Sequence, residues 1–138
     1  MTLHRTRALV LDSWAVLAFL EDEPAGSTVA DLIADAQEQG IPILMTVVNA
    51  GEVWYIIARK TAENEADDNL NRLRELGVRI IDVDWKLARG AARYKSKYKM
   101  SYADGFAATL ASLEKGSLIT GDKEFRQVEG EIKILWLA

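Results

Sequence analysis

The chain has 138 residues, of which 49% are hydrophobic and 28% charged, and its formal net charge is −4. These values are typical of one globular domain with a sizeable core, so we expect residues 1–138 to form a single domain. No apolar run is long enough to predict a membrane span, and we expect no membrane partner. The absence of cysteine excludes disulfides and thiolate sites and is compatible with the cytoplasmic location that we expect.

Short apolar runs alternate with helical patterns along the chain. The runs are rich in branched residues and predict buried strands at 7–12, 41–46, 78–84, 117–120 and 131–137. Apolar residues at helical spacing predict helices after residue 12 and at 26–39, 49–60, 64–76, 85–98 and 101–114. Strands that alternate with helices predict an α/β domain with a central, mainly parallel sheet and helices on both faces.

Four acids stand at the predicted strand ends or at the helices beside them. Asp12 is the only charge in the run LVLDSWAVLAFL and ends the first strand. Glu52 lies soon after the second strand, Asp104 opens the helix that leads to the fourth, and Asp122 follows the fourth by one glycine. Because ligands of parallel sheets bind beyond the carboxyl ends of the strands, we expect the four acids to meet at one edge.

Each acid also has a structural interpretation. Asp12 and Asp122 fit helix N-caps, and Asp104 completes a relaxed capping box with Ser101. Glu52 fits the positive end of a helix dipole. Asp84, a rival acid after the third strand, is interpreted as the cap of the helix that follows it.

Four gathered carboxylates require a counter-charge, because two unit charges about 4 Å apart interact by roughly 4 kcal/mol at an effective dielectric of 20. The only histidine, His4, precedes the first strand, and we interpret it as a solvated terminal residue. Ligation by oxygen alone suits Mg²⁺ or Mn²⁺. The chemistry that follows is phosphoryl transfer or phosphodiester hydrolysis by a metal-activated water.

A basic stripe occupies one predicted helix, where the segment 86–99 has six basic residues and no acid. Spacings of three, four and four place its members on one helix face: Lys86, Arg89, Arg93 and Lys97. These side chains are predicted to contact nucleic-acid phosphates, and Tyr94, Tyr98 and Tyr102 to stack on unpaired bases. The alternative is a solvated helix face with the tyrosines packed on the core.

Four segments of the chain together resemble the PIN-domain ribonucleases, and most closely the VapC toxins of bacterial and archaeal toxin–antitoxin modules. The segments are LVLDSWAVLAFL, TVVNAGEVWYIIAR, SYADGFAATLA and LITGDKEF. They match the family's acids at Asp12, Glu52, Asp104 and Asp122. Ser13 matches the small polar position after the first acid, and Thr120, Asp122 and Phe125 match the pattern T-x-D-x-x-F. Gly105 departs from the pattern, since alanine is commoner there, and this glycine is expected to loosen the start of its helix.

The resemblance implies a three-layer α/β/α sandwich around a parallel five-stranded sheet. It also implies endonucleolytic cleavage of RNA with Mg²⁺ or Mn²⁺, leaving a 5′-phosphate. Asp12, Glu52 and Asp104 would bind the metal and orient the attacking water, with Asp122 supporting the site. Hydrogen bonds from Ser13 and Thr120 would fix the acids. The implied partners are RNA, a second copy in a homodimer, and a small VapB-like antitoxin that blocks the acidic site.

Three alternatives remain at this point. A receiver-type phosphoacceptor domain also binds Mg²⁺ through strand-end acids, but it would want an acid pair at the first strand and a lysine after the last. A PIN-like RNA-processing or RNA-binding domain without a toxin role would keep the fold, although retention of all four acids argues against a non-catalytic one. A haloacid-type phosphatase would need an aspartate at the position of Trp14.

Overall fold

The computed structural model describes residue 3 and residues 6–137. The interpretation of His4 lies outside the described residues. In the described part of the chain, five strands form one sheet: β1 (Leu9–Leu11), β2 (Ile43–Thr46), β3 (Val78–Ile81), β4 (Ser117–Thr120) and β5 (Lys133–Trp136). Every neighbouring pair is parallel, and the strand order is β3-β2-β1-β4-β5. Receiver-type domains have the order 2-1-3-4-5, so the topology excludes that alternative.

The helices between the strands follow the predicted pattern. They are α1 (Ser13–Leu20), α2 (Gly26–Gln39), α3 (Val47–Lys60), α4 (Glu63–Glu75), α5 (Trp85–Lys97) and α6 (Tyr102–Glu114), with a 3-10 helix at Lys123–Val128. The main difference is at α3, which begins two residues before the predicted start. Thr46 causes it, because its hydroxyl caps the helix by accepting from the Asn49 backbone N–H at 3.1 Å.

Helices cover both faces of the sheet, which confirms the predicted three-layer α/β/α sandwich. Side chains alternate along β1, so Leu9 and Leu11 face the core beneath α1–α4, while Val10 faces the core beneath α5 and α6. Because both faces of β1 are buried, this central strand is apolar throughout. Among the described helices, none combines the length and the apolar character that a bilayer crossing requires.

Gly105 lies where α5 and α6 approach each other closely. A Cβ atom at this position would stand 2.8 Å from the carbonyl oxygen of Ala91 on α5. The helix start that this glycine was expected to loosen is capped, since the Ser101 hydroxyl accepts from the Asp104 N–H at 3.0 Å. Gly105 therefore permits the helix contact, and packing gives a physical reason for the departure from alanine.

Candidate functional site

A pocket of about 360 Å³ lies beside the carboxyl ends of the central strands. Three of the four predicted acids line it, and Asp12 is buried next to it with 1% of its surface exposed. The complete lining is Ser13, Trp14, Leu17, Glu52, Ile56, Ser101, Asp104, Asp122 and Glu124. The fold thus gathers acids that are as much as 110 positions apart, from Asp12 to Asp122.

Asp12 is held through both carboxylate oxygens. Oδ1 accepts from the Ala15 backbone N–H at 2.8 Å, which caps α1, and Oδ2 accepts from the Thr120 hydroxyl at the end of β4. The cap interpretation and the site interpretation are therefore both compatible with its geometry. The Asp12 pKa is raised to about 8, mainly by burial and to a smaller extent by the charges of Asp104 and Asp122, while the hydrogen bonds from Thr120 and Ala15 oppose the rise.

Asp104 is the second acid with a strongly shifted ionisation. Burial raises its pKa to about 7, and the negative charges of Asp122 and Glu52 act in the same direction. The carboxyl groups of Asp104 and Asp122 lie close enough for a hydrogen bond when one of them is protonated. Asp122 also caps the 3-10 helix, because its Oδ1 accepts from the Glu124 N–H at 2.9 Å.

Thr120 connects two of the four acids, Asp12 and Asp122. Its hydroxyl donates to Asp12 and accepts from the Asp122 backbone N–H at 3.0 Å. Ser13 differs from the expectation, because its hydroxyl donates to the Asn49 carbonyl oxygen at 3.3 Å rather than to an acid. Thr120 therefore contacts an acid directly, whereas Ser13 contacts Asn49 and helps to position α3.

Asn49 is a buried residue of the site that the sequence analysis missed. Its Nδ2 donates to the Ser13 hydroxyl at 3.3 Å and to the Ala103 carbonyl at 3.1 Å, and its Oδ1 accepts from the Thr46 hydroxyl at 2.6 Å. Ser13 and Ala103 each adjoin one of the predicted acids in sequence. The available signal was a single amide in the apolar start of α3, three positions before Glu52.

Glu124 is a further acid that the sequence analysis missed. It lines the pocket and lies two residues beyond Asp122 in the run GDKEF. The signal in the sequence was a second acid so soon after Asp122 and the end of the fourth strand. Its exposed side chain adds a fifth carboxyl group to the region.

The donor set fits a hard divalent cation by its chemistry. The pocket offers carboxylates and hydroxyls, which Mg²⁺ and Mn²⁺ prefer, and no basic side chain is among its described lining residues. Within the described residues, no three acids stand in an arrangement that could already ligate an ion. Two carboxyl pKa values raised by burial and neighbouring negative charge indicate a site that a cation would stabilise.

The basic stripe lines a different pocket. Lys86, Arg89 and Arg93 line a cavity of about 280 Å³ that is closed by the second half of α6, and the two pockets share no lining residue. On α6, Asp104 lines the acidic pocket, and Thr109, five residues later and about 7.5 Å along the helix axis, is the first residue that lines the cavity beside the stripe. Lys97 is exposed near the end of α5.

The tyrosines expected to stack on bases have different environments. Tyr94 is buried, which agrees with core packing, and the Tyr98 hydroxyl donates to Glu131. Tyr102 is 46% exposed. Arg93 also contacts Glu131, at 3.2 Å, so this part of the stripe is partly neutralised. Asp84 is the cap of α5, because it accepts from the Leu87 N–H at 3.0 Å.

Comparison with known proteins gives one family match and several solved structures of the same fold. The model of the PIN domain matches residues 9–131. VapBC2 from Rickettsia felis, bound to a DNA fragment from its promoter, has a TM-score of 0.78 and 12% identity over 95% of this chain and 99% of that chain. DNA-bound VapBC from Salmonella typhimurium has a TM-score of 0.71 and 14% identity over 93% and 96%.

A third structure of this fold is VapC20 from Mycobacterium tuberculosis, described as a sarcin-ricin loop cleaving toxin. Its TM-score is 0.67, with 16% identity over 88% of this chain and 95% of that chain. Among curated proteins, no sequence matches this chain significantly. At these identities the structures establish a shared fold.

Proposed function

Because this chain belongs to the PIN domain family, we propose that it is an endoribonuclease that depends on Mg²⁺ or Mn²⁺. PIN domains are in general divalent-metal-dependent nucleases. The observation that carries the proposal is the buried Asp12 carboxyl, whose pKa is raised to about 8 beside the acids of the pocket. A carboxylate in this environment needs a cation to remain ionised at neutral pH.

Asp12, Glu52 and Asp104 are the proposed ligands of the cation, and Asp122 supports them. When bound, the cation supplies Lewis acidity at a phosphate oxygen and lowers the pKa of a water molecule. The chain's own contribution is orientation. Thr120 and the Ala15 N–H fix the two oxygens of Asp12, which retain lone pairs for a ligand.

Substrate binding is proposed to involve the basic stripe in addition to the acidic pocket. Lys86, Arg89, Arg93 and Lys97 are four of the five basic residues of α5, whereas the pocket itself is lined by acids. Phosphate contacts of this kind strengthen binding without reading sequence. The separation of at least about 7.5 Å along α6 means that an RNA must extend beyond the cleaved bond to reach the stripe.

The proposed biological role is that of the toxin in a VapBC-like toxin–antitoxin module. Fold similarity to the VapBC structures of Rickettsia felis and Salmonella typhimurium supports this role. The proposed partners are a VapB-like antitoxin that blocks the acidic pocket and a second copy of the chain in a homodimer. A negatively charged pocket is a suitable target for a basic inhibitory segment.

The experiment that tests the proposal compares Asp12→Ala with wild type on a random-sequence RNA pool, with Mg²⁺ and with a chelator. Wild type should cleave only with the metal, and Asp12→Ala should lose cleavage by at least about 100-fold while circular dichroism shows an intact fold. Asp31→Ala, which removes an exposed acid on α2, is the matched control and should cleave normally. Undiminished cleavage by Asp12→Ala would refute the assigned site.

A further inference from the structure

Trp14 gives the acidic pocket an aromatic surface. It is the second residue of α1, two positions after Asp12, and it lines the pocket together with Leu17 and Ile56. Trp14 and Leu17 are three residues apart and therefore lie on one side of α1. The other six lining residues are serines and acids. The pocket thus combines an acidic part with an apolar part that contains a tryptophan.

Gly121 fixes the orientation of the indole ring. A Cβ atom at Gly121 would lie 2.4 Å from Cη2 and 2.6 Å from both Cζ2 and Cζ3 of Trp14. Similar distances to three consecutive ring atoms place that point over the ring face and not beyond its edge. The ring therefore packs face-on against the backbone that joins Thr120 to Asp122.

The position of the ring serves more than core packing. Trp14 is only partly buried, and its contacts include both the core beneath α1 and the wall of the pocket. A leucine or methionine would fill the core side as well. Only an aromatic residue adds a flat π surface beside the acids that are proposed to act on the phosphate, and stacking of a nucleobase on such a surface contributes about 1–3 kcal/mol.

Building on the proposed RNA cleavage, we infer that Trp14 stacks on the base of a nucleotide next to the scissile phosphate. The acids act on the phosphate, and the indole ring holds the neighbouring base, so that the bond is presented in a fixed position. Because every base has a π face, the contact accepts all four bases. The stronger stacking of purines should give a preference for a purine at this position.

The test uses synthetic oligoribonucleotides that contain one cleavage site, mapped first with wild type on the random-sequence pool. An abasic residue replaces the nucleotide on either side of the cleaved bond in turn. For wild type, one of the two replacements should raise KM by about 5- to 140-fold. On the intact RNA, Trp14→Leu should have the KM that wild type has on the abasic RNA. The abasic residue should not raise the KM of this variant further.

Two variants separate stacking from a structural role. Trp14→Met keeps volume on the core side without an aromatic face and should also be insensitive to the abasic residue, which covers the case in which Trp14→Leu does not fold. Trp85→Leu removes a tryptophan that is 75% exposed and outside the pocket, and it should keep the sensitivity of wild type.

The outcomes are distinct. A wild-type enzyme that is indifferent to both abasic residues, or a Trp14→Met variant that keeps full sensitivity, would overturn the stacking contact. If wild type cleaves no RNA at all, the proposed function itself is wrong.

Discussion

The side-chain amide of Asn49 donates to the main-chain carbonyl of Ala103, 54 positions away, at a distance of 3.1 Å. The same amide group also contacts Ser13 at 3.3 Å. One buried residue on α3 therefore joins the starts of α1 and α6. Each of these helix starts carries an acid of the candidate site.

Replacing Asn49 with alanine should affect stability and activity together. The change removes the hydrogen bonds that the Asn49 side chain makes with the Ala103 carbonyl and with the Thr46 and Ser13 hydroxyls, which costs about 1–3 kcal/mol of unfolding free energy. It also releases the relative positions of Asp12 and Asp104. We therefore expect a lower kcat for RNA cleavage and a lower unfolding free energy. Cleavage kinetics and urea denaturation on the same samples measure the two effects. Asn69→Ala, which removes a surface amide bonded within α4, should leave kcat unchanged.

The metal-free protein should become less stable as the pH rises from about 4 to about 8. The Asp12 pKa is about 8 in the folded state and 3.8 ordinarily, so between these values the folded state binds a proton that the unfolded state has lost. The unfolding free energy then falls by up to about 1.4 kcal/mol per pH unit from this group. Asp104, with a pKa of about 7, acts in the same direction.

Urea denaturation in a chelator at pH 5 and pH 8 measures this dependence. Asp12→Asn should flatten it, whereas Asp31→Asn, on the exposed surface of α2, should retain the slope of wild type. Added Mg²⁺ should stabilise the protein more at pH 8 than at pH 5, because it binds the ionised carboxylates. An unfolding free energy that rises between pH 5 and pH 8 would contradict the assignment of Asp12.

Gly105→Ala and Gly51→Ala should have opposite effects on stability. A Cβ at Gly105 meets the Ala91 carbonyl oxygen at 2.8 Å, and such overpacking costs about 1–3 kcal/mol, which exceeds the helix propensity of about 1 kcal/mol that alanine adds. At Gly51 nothing lies within 4 Å of the added Cβ, so alanine should stabilise α3 by up to about 1 kcal/mol. Thermal unfolding of both variants checks the signs. A higher unfolding temperature for Gly105→Ala would contradict this expectation, because it would mean that α5 shifts away from the added methyl group at little cost in free energy.

Charge reversal on the basic stripe should weaken RNA binding and flatten its salt dependence. For Arg89→Glu we expect the slope of log Kd against log salt to fall by roughly 0.7 or more, since each contact with single-stranded phosphate contributes about that amount. Lys95→Glu changes an exposed cation on the opposite side of α5 and is the control with equal charge. Filter binding between 50 and 200 mM salt compares the two. Equal slopes for both variants would show that the stripe does not contact RNA phosphates and is an ordinary solvated surface.

Most of the fold could be predicted because its signals are local. The apolar runs gave the five strands, and the helical periods gave the helices to within a few residues. The start of α3 was predicted at residue 49 and lies at Val47, because the helix begins directly after the Thr46 cap, which was not recognised in the sequence. The strand-end rule led to Glu52, Asp104 and Asp122 in the pocket and to Asp12 beside it, but not to Glu124. A search for charged residues at strand ends also passes over an uncharged residue such as Asn49.

The sequence by itself determined which residues carry charge beside apolar strands, and hence that an oxygen-only site of acids was expected. Only the tertiary structure decided that Asp12 is buried against Thr120, that Asn49 joins two helix starts, and that the basic stripe faces another pocket. The physical reason is the distance along the sequence between the residues that interact. Strand and helix patterns depend on neighbours within one or two turns, whereas burial, pKa and hydrogen bonds across 54 or 108 positions depend on how the layers pack.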